Sequence, residues 1–487
     1  MSIPVPSFLD RSVVPRPGAV RPFEFPTVVS SSLPNGLGLK VALMNRLPLV
    51  TVSVVLNAGE ALLPDATSGL AVLTGQALEG GSDSRSGPEL AEALEGIGTG
   101  LSVHTGWDST TVSLTCLAER MEEAVSLLAE DLLQPAFPPK EVSRFRNQRL
   151  AAIRQRLMDP GSLAEDAAAH FFFSDHVPYH RPLAGTAESV GGMGPEEVRA
   201  FANTHFRPAG AGLVVVGDVE VSEVEELARS YFGDWNGASG VEGGFDAVSR
   251  FGERRILVVD RPGSVQSEIR IGQVGVPRST PHFFPLQLFN TVLGGAFTSR
   301  LMLNLREEQG FTYGVRSRFA FRRSAGPFHV STAVATEVTA PAVSHALAEV
   351  EGLIEGGPTQ QEVERARDFI VGVFPLHLET TGQVAARIGE LLVYDLPDDF
   401  FATYRDRIRS VQIQDVLLAG QEVLRPREMV VVVVGEADAI RGPLEELDVG
   451  PVEVVLPLDL AGGPAVIVPS EDRHGGPAGS GSPPPAP

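Results

Sequence analysis

The chain has one cysteine, Cys116, in 487 residues. That excludes an intrachain disulfide and any zinc or iron–sulfur site built on cysteine. Basic residues are outnumbered: 39 Lys and Arg against 61 Asp and Glu leave a formal net charge of −22. A surface of that sign repels phosphate, so nucleic acid and anionic membrane are poor partners. Long apolar runs are missing as well. The longest, such as Val430–Val434, fall far short of the roughly 18 residues that cross a bilayer. The opening stretch, MSIPVPSFLDRSVVPRPG, lacks the basic start and apolar segment of a secretory leader. These absences lead to the expectation of a cytoplasmic protein.

What is present suits a folded chain. Hydrophobic residues make up 43% and charged residues 21%, enough for a large core. At roughly 150 residues per domain, the length allows two to four domains. Residues 1–30 carry Pro4, Pro6, Pro15, Pro17, Pro22 and Pro26 without helical period, which predicts an extended arm. The stretch NGASGVEGGFDAVSR between Trp235 and Phe251 has linker composition, giving a linker at 238–255. A C-terminal extension, 448–487, is expected to be disordered from about residue 470, where Gly, Ser and Pro dominate.

An internal repeat divides the rest. Arg207-Pro208 precedes the apolar run Leu213–Val216 and Gly217-Asp218; Arg425-Pro426 precedes Met429–Val434 and Gly435-Glu436. Each proline lies nine residues before its glycine, at a common offset of 218. Upstream, Glu197-Val198 matches Asp415-Val416 at the same offset. Two homologous halves follow, 31–237 and 256–447. Strand patterns at Thr51–Leu56, Leu101–Val103 and Thr110–Leu117 are echoed by Ile269–Val276, Tyr313–Phe321 and Phe328–Val334. Long helical stretches come after them, at Lys140–Leu157 and Gln360–Phe374. Strands followed by helices, rather than strict alternation, predict α+β layers in each half.

Three segments resemble one known family, the insulinase/pitrilysin-type zinc peptidases, or inverzincins. GLAVLTGQALEGG (Gly69–Gly81) is similar to the family's active-site helix. LGGAFTSRLMLNLREEQGFTYGV (Leu293–Val315) is similar to its second-domain motif. The two Arg-Pro/strand/Gly units resemble a further family signature. The resemblance spans about 30–445. It implies two similar α+β domains, each a sheet flanked by helices, in a clamshell arrangement around an unfolded peptide.

The family's zinc helix needs H-x-x-E-H, with two histidines on one face and a Glu to activate water. Those positions here hold Val72, Gly75 and Gln76, and the third ligand's position falls on Ala151 or Ala152. Ligands and base are therefore missing, and no metal is expected in this chain. His176 and His180 are spaced i, i+4, but Pro178 between them opposes a helix. That loop reads as structural. His345 and Glu349 read as one face of an exposed helix, His104 as a strand residue, and Cys116 as a buried small hydrophobe. The paired glycines of Leu293–Arg300 predict a tight strand-to-helix turn.

Arg306 and Tyr313 occupy the positions of the family's second-domain Arg/Tyr pair. The resemblance implies that in two-subunit members one chain carries zinc and the other this pair, which contacts substrate near the scissile bond. Both are donors suited to an oxygen that becomes anionic. The alternative is a surface ion pair for Arg306 and a packed strand aromatic for Tyr313. The expectation is a non-catalytic subunit that works in proteolysis only with a homologous zinc-bearing partner. A non-enzymatic scaffold of the same fold is the alternative, and an autonomous peptidase with an unrecognised site the third.

Overall fold

The computed structural model describes residues 22–237, 244–456 and 467–468. Residues 1–21 of the expected arm, 238–243 of the linker and the tail 470–487 lie outside the described residues.

The first sheet contains β1 (Val28–Ser32), β2 (Gly38–Leu43), β3 (Leu49–Leu56), β4 (Ser102–Thr105), β5 (Thr110–Leu117) and β6 (Gly212–Gly217). Its helices are α1 (Leu70–Ala77), α2 (Gly87–Gly96), α3 (Met121–Leu133), α4 (Pro139–Met158), α5 (Pro160–Phe172), α6 (Ala187–Gly191), α7 (Pro195–His205) and α8 (Val221–Phe232). The second sheet contains β7 (Arg255–Asp260), β8 (Gln266–Val274), β9 (Val315–Phe319), β10 (Pro327–Ala335), β11 (Val430–Gly435), β12 (Val452–Val455) and the short β13 (Ile467–Val468). With it come α9 (Phe283–Asn290), α10 (Thr339–Gly356), α11 (Gln360–Val373), α12 (Thr381–Val393), α13 (Phe400–Ser410), α14 (Ile413–Val423) and α15 (Ala437–Glu445).

Strand order is β1-β2-β6-β3-β5-β4 in one sheet and β13-β12-β7-β11-β8-β10-β9 in the other. The repeat is thus visible in three dimensions. β2 pairs in parallel with β6, as β7 does with β11. β3 and β8 run antiparallel to them, and the β5–β4 pair matches β10–β9. The chain forms two mixed sheets, each flanked by helices.

The sequence patterns follow from burial. Along β5, Thr110, Val112, Leu114 and Cys116 point inward and alternate with more exposed residues. β6 and β11 are buried at every position, because helices cover both faces of each sheet. One face of each sheet is covered by its own half, and the other by a helix from the opposite half. α5 lays Leu163, Ala167 and Phe171 on Val259, Val430 and Val432 of the second sheet. α12 lays Val384, Ile388 and Leu391 on Val55, Val214 and Val216 of the first. Gly212 permits that approach: a Cβ there would lie 2.3 Å from Leu392 Cδ1.

Polar contacts reinforce this exchange. The carboxylate of Asp108 accepts from the Arg323 backbone N–H at 3.0 Å and from the hydroxyls of Tyr179 and Tyr394. Arg323 also donates to Asn57 Oδ1 at 2.8 Å.

Two local expectations are corrected. The strand expected from Tyr313 begins only at Val315. Thr312 Oγ1, donating to Ala333 O at 2.8 Å, folds the preceding residues into a loop. Leu293–Arg300 joins helix to helix rather than strand to helix. α9 widens into a π-helical turn at Thr291–Gly295, breaks at the extended Ala296, and helix resumes through Met302–Glu308. Two consecutive glycines favour that break. Asn290, bonded to Ser317 of β9 at 2.9 Å, anchors it.

Candidate functional site

α1, the helix whose sequence resembles the zinc helix, packs against edge strand β4 and helices α4 and α7. Its N-terminus is capped from outside. Glu60, fully buried, accepts from the backbone N–H of Gly69 and, at 3.2 Å, from that of Ala71. Burial pushes its carboxyl up to about 7, while the Gly69 N–H and the Arg181 guanidinium pull the other way. Arg181 lies 3.5 Å from Glu60 and also donates to Asp65 at 2.8 Å and to Leu63 O at 2.6 Å. Glu60 therefore belongs to the scaffold of α1.

The positions expected to be degenerate sit along this helix. Val72 and Gln76 are half-buried, and Gly75 is buried. Gln76 Oε1 is buried without a hydrogen-bond partner. A Cβ added to Gly75 would lie 2.5 Å from Thr105 Oγ1 and 3.2 Å from Val103 Cγ1 of β4. The space that a catalytic Glu would need is filled by the sheet. On α4, Ala151 and Ala152 are exposed and offer no donor atom. Two residues before them, Arg149 is held below its usual pKa by burial and raised again by Glu60's charge. This residue set does not fit zinc: it supplies one amide oxygen where the ion takes imidazole, thiolate or carboxylate.

The second-domain pair lies on the Met302–Glu308 turn and the loop after it. Tyr313 is 95% exposed, so it is not a packed strand aromatic. Arg306 stacks on the ring of Phe297 at 4.6 Å and meets Glu307 at 3.4 Å through Nε. Phe297 and Leu303 are also exposed, giving an apolar surround to a guanidinium.

The turn carrying Arg306 is fixed at two points. Arg300 forms a double hydrogen bond to Glu362 of α11, at 2.6 and 2.9 Å. Burial would raise the Glu362 carboxyl, but Arg300 and the Thr359 cap outweigh it and hold it at about 2. Asn304 is gripped from α10: its Nδ2 donates to Glu349 at 2.7 Å, and its Oδ1 accepts from His345 Nδ1 at 2.9 Å. His345 and Glu349 are thus half-buried and engaged, not an exposed face as expected. Asn304 was invisible to sequence reasoning. The available signal was the i, i+4 spacing of His345 and Glu349, which needs a partner from another element to gain meaning.

Other histidines fall elsewhere. His104 is exposed on β4 and His176 on a loop. His180 ends a 3₁₀ turn, and its ligand atom gathers with those of His170 and Asp175 within 4.8 Å of one another. Asp175 is already held by both terminal nitrogens of Arg250, whose Nε donates to His170 O at 2.8 Å. A guanidinium neutralises the only carboxylate of that trio, which makes it a clasp between α5 and the segment entering β7. Cys116 is buried, and burial pushes its thiol up to about 11.

Residues 40–185 match the model of the insulinase family, peptidase family M16, and residues 193–369 match that of the peptidase M16 inactive domain. An uncharacterized zinc protease of Streptomyces coelicolor is 25% identical over 429 residues, 86% of this chain and 90% of that protein. The non-peptidase homolog YmxG of Helicobacter pylori is 24% identical, over 76% of this chain and 85% of its own length. Among solved structures, the peptidase M16 inactive domain from Pseudomonas fluorescens superposes with a TM-score of 0.79. It is 25% identical and covers 84% of this chain and 97% of its own.

Proposed function

The chain belongs to the insulinase (M16) family of peptidases, and we propose that it serves there as a non-catalytic subunit. In this reading it pairs with a homologous zinc-bearing subunit and offers Arg306 and Tyr313 to an unfolded peptide. The peptidase zinc belongs to the partner. The observation that carries the reading is a contrast within one chain: α1 has no imidazole, thiolate or carboxylate ligand and no room for a catalytic Glu, while Tyr313 is exposed and Arg306, stacked on Phe297 and beside Glu307, keeps part of its side chain at the surface.

The fold supports a partner for a second reason. α5 and α12 each cover the sheet of the other half, so a hinge inside the chain would strip both sheets. Closure around a peptide then falls to a second chain. Arg306 contributes a planar array of N–H donors, its face held by Phe297, and Tyr313 contributes a hydroxyl. Both can bind a peptide carbonyl oxygen and favour negative charge as it develops there. Their supports, Arg300–Glu362 and Asn304–His345–Glu349, act by positioning.

Co-expression with a zinc-bearing homologue tests this. The pair should elute as one 1:1 complex, and the complex should cleave peptides that neither chain cleaves alone. Arg306→Ala and Tyr313→Phe should leave the complex intact and lower kcat by roughly 10²–10³ each. Arg306→Lys should rescue only partly, because a point charge lacks the planar fork. Separate elution at micromolar concentration would exclude the pairing. Unchanged kinetics in both variants would leave a scaffold role instead.

A further inference from the structure

Away from that surface, Arg278 and α9, α13 and α14 border a pocket of about 460 Å³ that opens to solvent, lined by Phe283, Phe284, Phe400 and Arg407 among others. Arg278, at 5% exposure, is nearly fully buried. Its guanidinium lies 3.6 Å from the centre of the Phe283 ring and 4.7 Å from that of Phe400. Arg407 enters from α13, 5.7 Å from the Phe284 ring and 5.5 Å from Phe400.

Neither guanidinium donates to a carboxylate or carbonyl among the described residues. This is uncommon in a chain with 61 acidic residues against 39 basic ones. The nearby acids are already engaged. Glu390 is bonded to Arg387, and Asp415, which also lines the pocket, accepts from the N–H of Gln412, the N-cap of α14, at 2.8 Å. Burial holds Arg278 below its usual pKa, with Glu390 pulling the other way. Stacking on aromatic faces offsets part of the desolvation of a buried cation. It satisfies none of the five N–H donors in the guanidinium plane. A buried guanidinium that donates to no carboxylate among the described residues, opening on a pocket of small-molecule size, is an incomplete arrangement.

We propose that this cavity binds a small organic anion, a carboxylate or phosphate group on a flat apolar body. The anionic group meets Arg278 and Arg407 in the plane of their N–H donors, and the apolar body lies on the Phe283, Phe284 and Phe400 rings. Ser279 and Thr280 also line the pocket, while the Ser410 hydroxyl already donates to Arg407 O at 2.8 Å. The site shares no residue with the Arg306 surface, so the proposal stands or falls independently of the subunit reading.

Calorimetry on the full chain tests it with two matched pairs of probes: N-acetylphenylalanine against its neutral amide, and phenyl phosphate against phenol. At least one anion should bind at millimolar concentration or below. Its neutral twin should bind at least about 10-fold more weakly, the effect of losing a charged hydrogen bond. Binding of the carboxylate alone, the phosphate alone or both identifies the head group and in each case supports the site. Arg278→Met and Arg407→Gln should each weaken binding by about 10-fold or more. If Arg278→Met fails to fold, Arg407→Gln, near the surface, decides alone. The proposal is overturned if neither anion binds at 10 mM, if the neutral twins bind equally well, or if the arginine variants bind like wild type.

Discussion

Replacing Gly75 by alanine is expected to destabilise this protein, against the usual rule for helices. In an open helix, Gly→Ala gains roughly 1 kcal/mol from reduced chain entropy. Here the new Cβ would stand 2.5 Å from Thr105 Oγ1 and 3.2 Å from Val103 Cγ1, against the roughly 3.5–4.0 Å at which non-bonded atoms settle. Either Thr105 turns or α1 moves off β4. Turning Thr105 breaks its 3.0 Å hydrogen bond to Thr110 Oγ1, a loss of about 1 kcal/mol. Moving α1 is overpacking, which costs roughly 1–3 kcal/mol. Set against the propensity gain, the net loss is about 1–2 kcal/mol. Urea unfolding of Gly75→Ala, with and without Thr105→Ala, measures it. The alanine at 105 removes the obstructing oxygen, so in that background Gly75→Ala should turn neutral or stabilising. A Gly75→Ala chain more stable than wild type would refute the argument that β4 fills this space. The same geometry bears on restoring the metal site. Val72→His, Gly75→Glu and Gln76→His together should yield no peptidase, since the Glu collides with Thr105 and α4 supplies no third ligand.

Three other outcomes are expected. Asp131 is buried on α3 with both carboxylate oxygens unpartnered, and burial together with the charges of Glu130 and Glu79 pushes it up to about 8. The folded protein keeps a proton that the unfolded chain releases near pH 4, so this group's stabilising contribution is lost as pH rises from about 4 to about 8. The loss is at most about 1.36 kcal/mol per pH unit. Asp131→Asn should therefore out-stabilise wild type at pH 8 and lose that advantage at pH 4.5, as urea midpoints at the two pH values will show. The Cys116 thiol, buried and raised to about 11, should not react with a thiol reagent at pH 8 until denaturant is added; reaction of the native chain within minutes would contradict its burial. Asp108→Ala removes the acceptor of the Arg323 N–H and two tyrosine hydroxyls. It should lower stability by roughly 1–3 kcal/mol, read as a fall in the urea midpoint.

Much of the fold is legible in the sequence because its cues are local. The offset of 218 between Gly217 and Gly435 corresponds to β6 and β11, the central strands of matching sheets. The alternation in Thr110–Leu117 marks a strand buried on one side, and the unbroken Val430–Val434 run marks one buried on both. The lack of imidazole or carboxylate at Val72, Gly75 and Gln76 is equally plain, since it depends on residue type and helical spacing alone. Long-range packing determined the rest. No pattern within α5 or α12 says that each covers the other half's sheet; an apolar face records that it is buried, not what buries it. Gly75 reads as a weak helix residue until β4 is seen pressing on it. His345 and Glu349 look like a solvent face until Asn304 arrives from 41 and 45 residues away. Arg278 and Arg407 are ordinary basic residues in the chain, and only the folded structure shows that no carboxylate among the described residues accepts from them. Sequence alone established most of the elements, the repeat and the residue types on α1 that lead to the expectation of no metal. Tertiary structure decided which faces meet, which side chains are held in place and which charges are left without partners, because burial and pairing depend on contacts between residues far apart in the chain.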